Sequence, residues 1–257
     1  MPRARPDFLP GTRMTKKTRV HRPAETHILI FDVDGVLLDV RHSYQRTVLD
    51  TVHHFTKRRV TYAQLHEWKN RTGYNDDWKL TTDWVNSLGC NASYEEVKKE
   101  CNRVFWGTDG LGKGNACRER WLVAPRDVKK WAQRYELAVF TGRNRREFGH
   151  TFEAWPGHGS ISRVVTSEDV KNGKPDPEGL LLILKGREPR TAVYLGDNID
   201  DALAARSAGV PFLGVLPTGT LAYRKRAEGL RKLGALGILH RVHDLDRWLG
   251  KSARRAG

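Results

Sequence analysis

The sequence contains few cysteines and no long apolar run. Its 257 residues include only Cys90, Cys101 and Cys117, with no Cys-x-x-C pair, which argues against a zinc ribbon or a disulfide framework. No apolar run reaches the roughly 18 residues that a membrane span needs. The basic N-terminus also lacks the apolar segment of a signal peptide. We therefore expect a cytoplasmic protein in a reducing compartment, with no membrane partner.

The net charge is +15, from 45 Lys and Arg against 30 Asp and Glu, and it first suggests a nucleic-acid partner. The excess is concentrated at the two ends. Residues 1–25 hold seven basic and two acidic side chains, and residues 220–257 hold ten and three. The 194 residues between them hold 28 basic and 25 acidic side chains. Because this middle part is nearly balanced, we expect no nucleic-acid binding beyond weak tail electrostatics.

The ends of the chain differ in composition from the middle. Residues 1–25 are rich in Pro, Arg, Lys and Thr and have no hydrophobic period, so they are predicted to form a flexible basic leader. Residues 251–257 are predicted to form a basic tail. The rest of the chain is expected to form an α/β core from residues 26–40 and 121–250, interrupted by a helical cap at residues 41–120.

Short apolar runs alternate with helical stretches in the predicted core. The run His27–Phe31 is continuous and apolar, as in a buried parallel strand. Further strands are predicted at 137–140, 164–165, 192–195, 211–215 and 237–239. Strands that alternate with helices predict right-handed crossovers. The fold class is therefore α/β, with a Rossmann-like parallel sheet and helices on both faces.

Between the first strand and Trp121 the apolar residues recur at helical spacing instead. Breaks at Gly73, at Gly89 and around residues 107–114 divide this stretch into segments. Ser93 and Glu96 have the spacing of a capping box at the start of the last helix. The pattern predicts four helices inserted as a cap after the first strand.

Polar side chains stand where the predicted strands end. Asp32 and Asp34 follow the first strand, Thr141 follows the next, Asp197 follows a later one, and Lys174 lies in a loop. The carboxyl ends of parallel strands meet at one edge of a sheet. Several carboxylates there need a counterion, for which an oxygen-only site favours Mg²⁺. Together with a lysine and a hydroxyl, they indicate Mg²⁺-assisted phosphoryl transfer.

These residues also carry a family resemblance. Four segments in order, Asp32-Val33-Asp34-Gly35-Val36, Thr141-Gly142-Arg143, Lys174-Pro175 and Gly196-Asp197-Asn198-Ile199-Asp200-Asp201, resemble the motifs of the haloacid dehalogenase-like superfamily. The resemblance covers roughly residues 27–249. The helical insertion after the first motif is similar to that of the phosphoglycolate phosphatase-like subfamily.

The resemblance implies a role for each matching residue. Asp32 would be the nucleophile and form an aspartyl-phosphate, and Asp34 would be the general acid/base. Thr141 would bind the phosphoryl oxygens, and Lys174 would neutralise charge. Mg²⁺ would be held by Asp32, the backbone carbonyl of Asp34, and Asp197. Asp201 would bind the metal through water or orient Lys174, whereas Asp200 occupies a less constrained position.

Other residues are candidates for substrate contact. Gly142 and Arg143 belong to the second motif. A bend between two predicted cap helices contains Arg71, Asn75, Asp76 and Asp77. The alternative for the bend is a solvated turn without a substrate.

The acid at position 34 also bears on the reaction. Dehalogenases and phosphonate-cleaving members of the superfamily lack an Asp there, whereas an alkoxide leaving group needs a proton. The favoured function is a Mg²⁺-dependent phosphatase of a small phosphomonoester, in a monomer or homodimer. The alternatives are a phosphomutase and, less favoured, a polyanion or nucleic-acid binder on the same fold.

Overall fold

The structure is a computed structural model, and it describes residues 26–110 and 112–253. The predicted basic leader and the last four residues of the predicted tail lie outside the described residues. The first three residues of that tail, 251–253, belong to the last helix.

The described residues form eight strands. They are β1 (Ile28–Phe31), β2 (Leu38–Asp39), β3 (Arg120–Trp121), β4 (Glu136–Phe140), β5 (Arg163–Val165), β6 (Ala192–Gly196), β7 (Phe212–Val215) and β8 (Gly237–Leu239). Six of them form one parallel sheet in the order β5-β4-β1-β6-β7-β8. These six are the strands that the apolar runs predict. The central strand β1 is buried along its whole length, which is why its sequence is continuously apolar.

Ten helices accompany the strands in the described residues. They are α1 (Tyr44–Thr56), α2 (Tyr62–Lys69), α3 (Asp77–Ser87), α4 (Tyr94–Trp106), α5 (Pro125–Ala132), α6 (Arg145–Phe152), α7 (Glu178–Leu184), α8 (Ile199–Ala208), α9 (Tyr223–Lys232) and α10 (Leu245–Ala253). Helices cover both faces of the sheet, so the predicted α/β class with a four-helix insertion is confirmed.

Alternate residues of β1 enter opposite hydrophobic layers, because successive side chains of a strand point to opposite faces. Phe31 stacks on Trp131 of α5, with the ring centroids 5.6 Å apart, and α10 adds Trp248 to the same layer. Ile30 lies in the other layer with Leu180 of α7 and residues of α8 and α9. The sheet is thus fixed between two apolar layers, which gives its carboxyl edge a rigid base.

The cap is a bundle of α1 to α4 with its own core. Val48, Val52, Leu65, Leu80 and Trp84 are buried together between the helices. The last of the four begins at the predicted capping box. There, Ser93 Oγ accepts from the Glu96 backbone N–H at 3.3 Å, and Glu96 Oε2 accepts from the Ser93 backbone N–H at 2.8 Å.

The two chain crossings between core and cap run side by side. β2 and β3 pair antiparallel, with Leu38 opposite Trp121 and Asp39 opposite Arg120. The sequence did not predict this ribbon, because two-residue strands are too short to display an alternating pattern. The pairing fixes the base of the cap next to the carboxyl end of β1.

The structure also bears on the membrane question. No helix in residues 26–110 or 112–253 has both the length and the apolarity required to cross a bilayer.

Candidate active site

The carboxyl ends of β4, β1 and β6 meet at one edge of the sheet, beneath the cap. Asp32 follows β1, Thr141 follows β4, and Asp197 follows β6. A cavity of about 540 Å³ separates this edge from the cap, and its lining includes Asp32, Asp34, Lys174 and Asp197. Thr141 is buried behind the lining, where its hydroxyl accepts from the Arg143 backbone N–H at 3.1 Å. The topology thus brings together the groups predicted at the strand ends.

A glycine allows two acidic loops to approach each other. Gly35 has a φ of +79°, and a Cβ atom at this position would lie 2.6 Å from Oδ2 of Asp197. Both the positive φ and the close contact disfavour any larger residue. The glycine of the first motif therefore holds the turn after Asp34 against the loop that carries Asp197.

Lys174 is the buried cation of the site. Its Nζ lies 2.8 Å from Oδ1 of Asp32 and 2.8 Å from Oδ1 of Asp201, and its side chain is 1% exposed. Burial opposes the charged ammonium, but Asp201 and Asp32 outweigh this effect and raise the pKa of Lys174. Burial also raises the pKa of Asp32 well above its ordinary value, while Lys174 opposes that rise. The lysine therefore favours an ionised Asp32 in a place where water cannot stabilise it.

Asp201 is fully occupied by protein donors. Its Oδ1 accepts from the Tyr194 hydroxyl at 2.6 Å in addition to Lys174. Its Oδ2 accepts from the backbone N–H groups of Asp197 at 3.1 Å and Asn198 at 3.2 Å. Of the two roles that the sequence left open for Asp201, the geometry favours the orientation of Lys174.

The acidic side chains fit an oxygen-liganded cation. Carboxylate oxygens of Asp32, Asp197 and Asp201 lie within 4.8 Å of one another, although those of Asp201 already accept hydrogen bonds from the protein. Burial raises the pKa of Asp197, while Arg226 lowers it, so this buried carboxylate would gain from a further positive charge. Oδ2 of Asp32 has no hydrogen-bond partner among the described residues. The Asp34 side chain is not part of this group, so only its backbone carbonyl remains a candidate ligand.

Asp34 pairs with Arg143 instead. Nη2 of Arg143 donates to Oδ1 of Asp34 at 2.7 Å, and Nε donates to the same oxygen at 3.1 Å. The other side of the guanidinium meets Glu119, with Nη2 2.6 Å from Oε1. Arg143 was predicted to bind substrate, and it does line the cavity. Its guanidinium is nevertheless turned toward two protein carboxylates, which the sequence could not indicate.

The tip of the cap contacts the core through Asn75. A Cβ atom on Gly142 would lie 2.5 Å from Nδ2 of Asn75, so the glycine of the second motif makes room for this amide. Both residues line the cavity, as does Asp76. Asp76, however, is the N-cap of α3. Its Oδ1 accepts from the backbone N–H groups of Trp78 and Lys79, and its Oδ2 accepts from the Tyr94 hydroxyl at 3.1 Å.

The position of Arg71 differs from the expectation that it contacts a substrate. Its guanidinium lies over the Trp68 ring, 4.3 Å from the ring centroid, and Arg71 is exposed and absent from the cavity lining. A cation above an aromatic face is stabilised by the quadrupole of the ring. The structure therefore places Arg71 on the outer surface of the cap, away from the candidate substrate site.

The structure adds contacts that the sequence did not predict. Asp200 accepts from the Thr72 hydroxyl at 2.8 Å and from the Gly73 backbone N–H at 3.1 Å, which ties the cap bend to the start of α8. Lys69 of α2 lies 2.6 Å from a carboxylate oxygen of Asp77, and both line the cavity. No sequence signal pointed to these contacts, because they join residues of different elements.

We expect Gly142→Ala to disturb the cap rather than the fold. The added methyl group would displace Asn75 and with it the cap tip, and a shift of this kind lowers kcat/KM by about tenfold to a hundredfold. Steady-state kinetics on a small phosphate ester measures the loss. In Gly142→Ala/Asn75→Ala the clash is absent, so activity is expected to recover. If the double variant is no more active than Gly142→Ala, the clash with Asn75 is not the cause of the lost activity.

A buried glutamate should make stability depend on pH. Burial raises the pKa of Glu147 to about 6 from an ordinary value of 4.5. Its ionisation therefore costs about 2 kcal/mol of stability, lost as the pH rises from 4.5 to above 6. Glu147→Gln keeps an oxygen for the Asn144 backbone N–H and has no charge to bury. We expect the variant to gain stability over the wild type only above pH 5 in urea unfolding. An equal difference at pH 4.5 and pH 7.5 would contradict this assignment.

Comparison with known proteins identifies the family. Residues 26–209 match the haloacid dehalogenase-like hydrolase family. An imidazoleglycerol-phosphate dehydratase of Phytophthora nicotianae is 31% identical over 204 residues, which cover 76% of this chain and 44% of that protein. The chain thus spans less than half the length of this relative. Phosphoglycolate phosphatase 1 of Pseudomonas aeruginosa is 32% identical over 187 residues, covering 71% of this chain and 66% of that protein.

Solved structures share the same fold. A HAD family hydrolase from Deinococcus radiodurans, solved with bound phosphate and sodium, superposes with a TM-score of 0.67 at 15% identity, over 90% of this chain and 97% of that one. The family match covers most of the chain and includes all four motifs and four of the six strands of the core sheet. The protein belongs to the haloacid dehalogenase-like hydrolases.

Proposed function

We propose that the protein is a Mg²⁺-dependent phosphatase that hydrolyses a small phosphomonoester through an aspartyl-phosphate at Asp32. The observation that carries the proposal is the pairing of buried Asp32 with Lys174 at 2.8 Å on the floor of the cavity, with Asp34 two residues away. A carboxylate can act as a nucleophile when its charge is maintained and water is excluded.

The first step would transfer the phosphoryl group to the protein. A carboxylate oxygen of Asp32 attacks phosphorus, and the bond between phosphorus and the ester oxygen breaks. Asp34 gives its carboxyl proton to that oxygen, so the product leaves as a neutral alcohol. Proton transfer of this kind accelerates a reaction by about 10²–10⁴. Lys174 would offset the negative charge near Asp32 throughout, which is electrostatic stabilisation by a preorganised cation.

The second step would regenerate the enzyme. Asp34, now a carboxylate, takes a proton from a water molecule, whose oxygen attacks the phosphorus of the aspartyl-phosphate. The bond between phosphorus and the Asp32 oxygen breaks, and inorganic phosphate leaves. Asp32 and Asp34 then have their starting protonation states. Each carboxyl group thus acts in both steps, which explains why two acids stand side by side after β1.

A divalent cation would be held by Asp32, Asp197 and the backbone carbonyl of Asp34. When bound, Mg²⁺ would reduce the repulsion between the phosphoryl oxygens and the carboxylates. Asp201 and Lys174 would keep Asp32 in place beside it. The proposal is supported by the carboxylate oxygens of Asp32 and Asp197, which lie within 4.8 Å of each other in residues that both line the cavity.

The cap favours a small and polar substrate. The cavity of about 540 Å³ is bounded on the cap side by Gln45, His66, Lys69, Asn75 and Lys98. These side chains suit the hydroxyl or acidic groups of a metabolite rather than an apolar chain. Phosphoglycolate belongs in a substrate panel because a relative is named for it. A folded phosphoprotein would not fit beneath the closed cap.

Phosphate release from a metabolite panel tests the proposal. Wild type and Asp32→Asn are compared on phosphoglycolate, sugar phosphates, amino-alcohol phosphates, nucleotides and an aryl phosphate, with Mg²⁺ or with EDTA. We expect Mg²⁺-dependent release by the wild type alone. Equal activity of the two proteins, or an inert wild type across the panel, would overturn the proposal. Phosphorus NMR would reveal a phosphomutase by the appearance of an isomeric sugar phosphate.

A further inference from the structure

Arg143 has no donor left for a substrate. Its side chain is 2% exposed. Nε and Nη2 donate to Asp34, and Nη1 and Nη2 donate to Glu119 at 3.1 and 2.6 Å. The second Nη1 hydrogen faces the backbone carbonyl of Glu147 at 3.3 Å. A guanidinium has five N–H groups, and all of them are directed at acceptors within the protein.

Glu119 holds Arg143 at the Nη1–Nη2 edge of the guanidinium, next to the Nε–Nη2 edge that pairs with Asp34. Its side chain is 2% exposed, and it is absent from the cavity lining. The Thr151 hydroxyl donates a second hydrogen bond to its Oε2. Glu119 directly precedes β3, the strand that leads from the cap back to the core. It therefore acts on the cavity only through Arg143.

The planar guanidinium fixes the direction of the Asp34 carboxylate. A fork of parallel N–H groups constrains a carboxylate in orientation as well as in distance, which a lysine ammonium does not do. The Tyr44 ring lies 4.8 Å from the guanidinium carbon and limits its movement further. Asp34 keeps 32% of its side chain exposed, so it is held from one side and open on the other.

We propose that Arg143 and Glu119 are positioning residues, which hold the Asp34 carboxyl group in the direction from which it exchanges a proton with the leaving oxygen. The inference rests on the proposed function, because Asp34 is the acid/base only in that mechanism. It replaces the role of substrate binding that the sequence suggested for Arg143. It also adds Glu119, which no motif contains.

Glu119→Gln tests the inference, because Gln keeps the size of the side chain and cannot touch a substrate. The readout is kcat/KM, which covers the steps through departure of the leaving group. It is measured on the best alkyl phosphate of the panel and on p-nitrophenyl phosphate. An alkoxide needs a proton in order to leave, whereas p-nitrophenolate does not. We expect the loss on the alkyl ester to exceed the loss on the aryl ester by about tenfold or more.

The possible results separate the inference from the proposed function. Equal losses on the two esters, or no loss on either, would overturn the positioning role while phosphatase activity stands. A wild type without Asp32-dependent activity would overturn the proposed function itself. Arg126→Lys is the matched control, because Arg126 is an exposed arginine of α5 with 87% of its side chain accessible. For this control, the losses of kcat/KM on the alkyl and aryl esters should be equal and small.

Arg143→Lys provides a second and independent measurement. Competitive inhibition by inorganic phosphate reports contact with the phosphoryl group. The positioning role predicts an inhibition constant within about twofold of the wild type, together with the same preferential loss on the alkyl ester. An inhibition constant that rises by about tenfold, with equal losses on the two esters, would assign Arg143 to phosphate binding instead. Urea unfolding of both variants confirms that the compared proteins are folded.

Discussion

Replacing Asp32 by Asn is expected to reduce phosphate release by about four orders of magnitude or more, because the amide cannot form the covalent intermediate. The fold should survive this change. Burial already raises the pKa of Asp32 well above its ordinary value, so the protein gains nothing in stability from the charge itself. Lys174 would keep Asp201 as its partner at 2.8 Å.

Two measurements on Asp32→Asn separate a chemical defect from a folding defect. Steady-state kinetics on the best substrate gives the loss of activity, and urea unfolding gives the stability. Asp39→Asn is the control, since Asp39 lies near Asp32 in the chain but pairs with exposed Arg41. We expect the control to keep wild-type kinetics within about threefold, because exposed ion pairs contribute little. An Asp32→Asn protein that retains a tenth of the activity would contradict the nucleophile assignment.

Lys174→Met is expected to damage both stability and activity. The ammonium stands between two buried carboxylates and near the rings of Phe140 and Tyr194, at 4.9 and 5.5 Å. Removal of one member of a buried ionic group leaves uncompensated charge and costs about 3–5 kcal/mol. The loss of a preorganised cation at the reacting centre lowers kcat by about 10²–10³.

Lys171→Met is the matched control for Lys174→Met. Lys171 lies in the same loop but is exposed, so its replacement should change the free energy of unfolding by less than about 0.5 kcal/mol. Urea unfolding and steady-state kinetics of the two variants give both quantities. If Lys174→Met unfolds like the control, the Asp32–Lys174–Asp201 group is not the ionic centre described above.

The central fold follows from local sequence patterns. The continuous apolar run at Ile28–Phe31 indicates a strand buried on both faces, and the structure has it at the centre of the sheet. The two-residue strands β2 and β3 were missed because pairing, rather than propensity, defines them. The bounds of helix α9 were not predicted, since only Ala227 and Leu230 are buried among its many charged residues.

The candidate site was predictable where chain order determines geometry. Asp32, Thr141 and Asp197 converge because parallel strands place their carboxyl ends together. Contacts between cap and core were not predictable, since Thr72 and Asp200 are 128 residues apart in sequence. Arg143 lines the cavity, but the direction of its guanidinium depends on Glu119. The position of Glu119 is set by the ribbon at the base of the cap.

The covalent intermediate at Asp32 is the central claim, and chemical trapping tests it most directly. Wild-type protein is mixed with substrate and Mg²⁺, quenched during turnover and treated with borohydride, which reduces an aspartyl-phosphate to homoserine. Mass spectrometry of the peptide that contains residues 27–41 then locates the change. We predict homoserine at position 32, and none in protein that was not exposed to substrate. Turnover that leaves Asp32 unreduced in every quenched sample would contradict the mechanism.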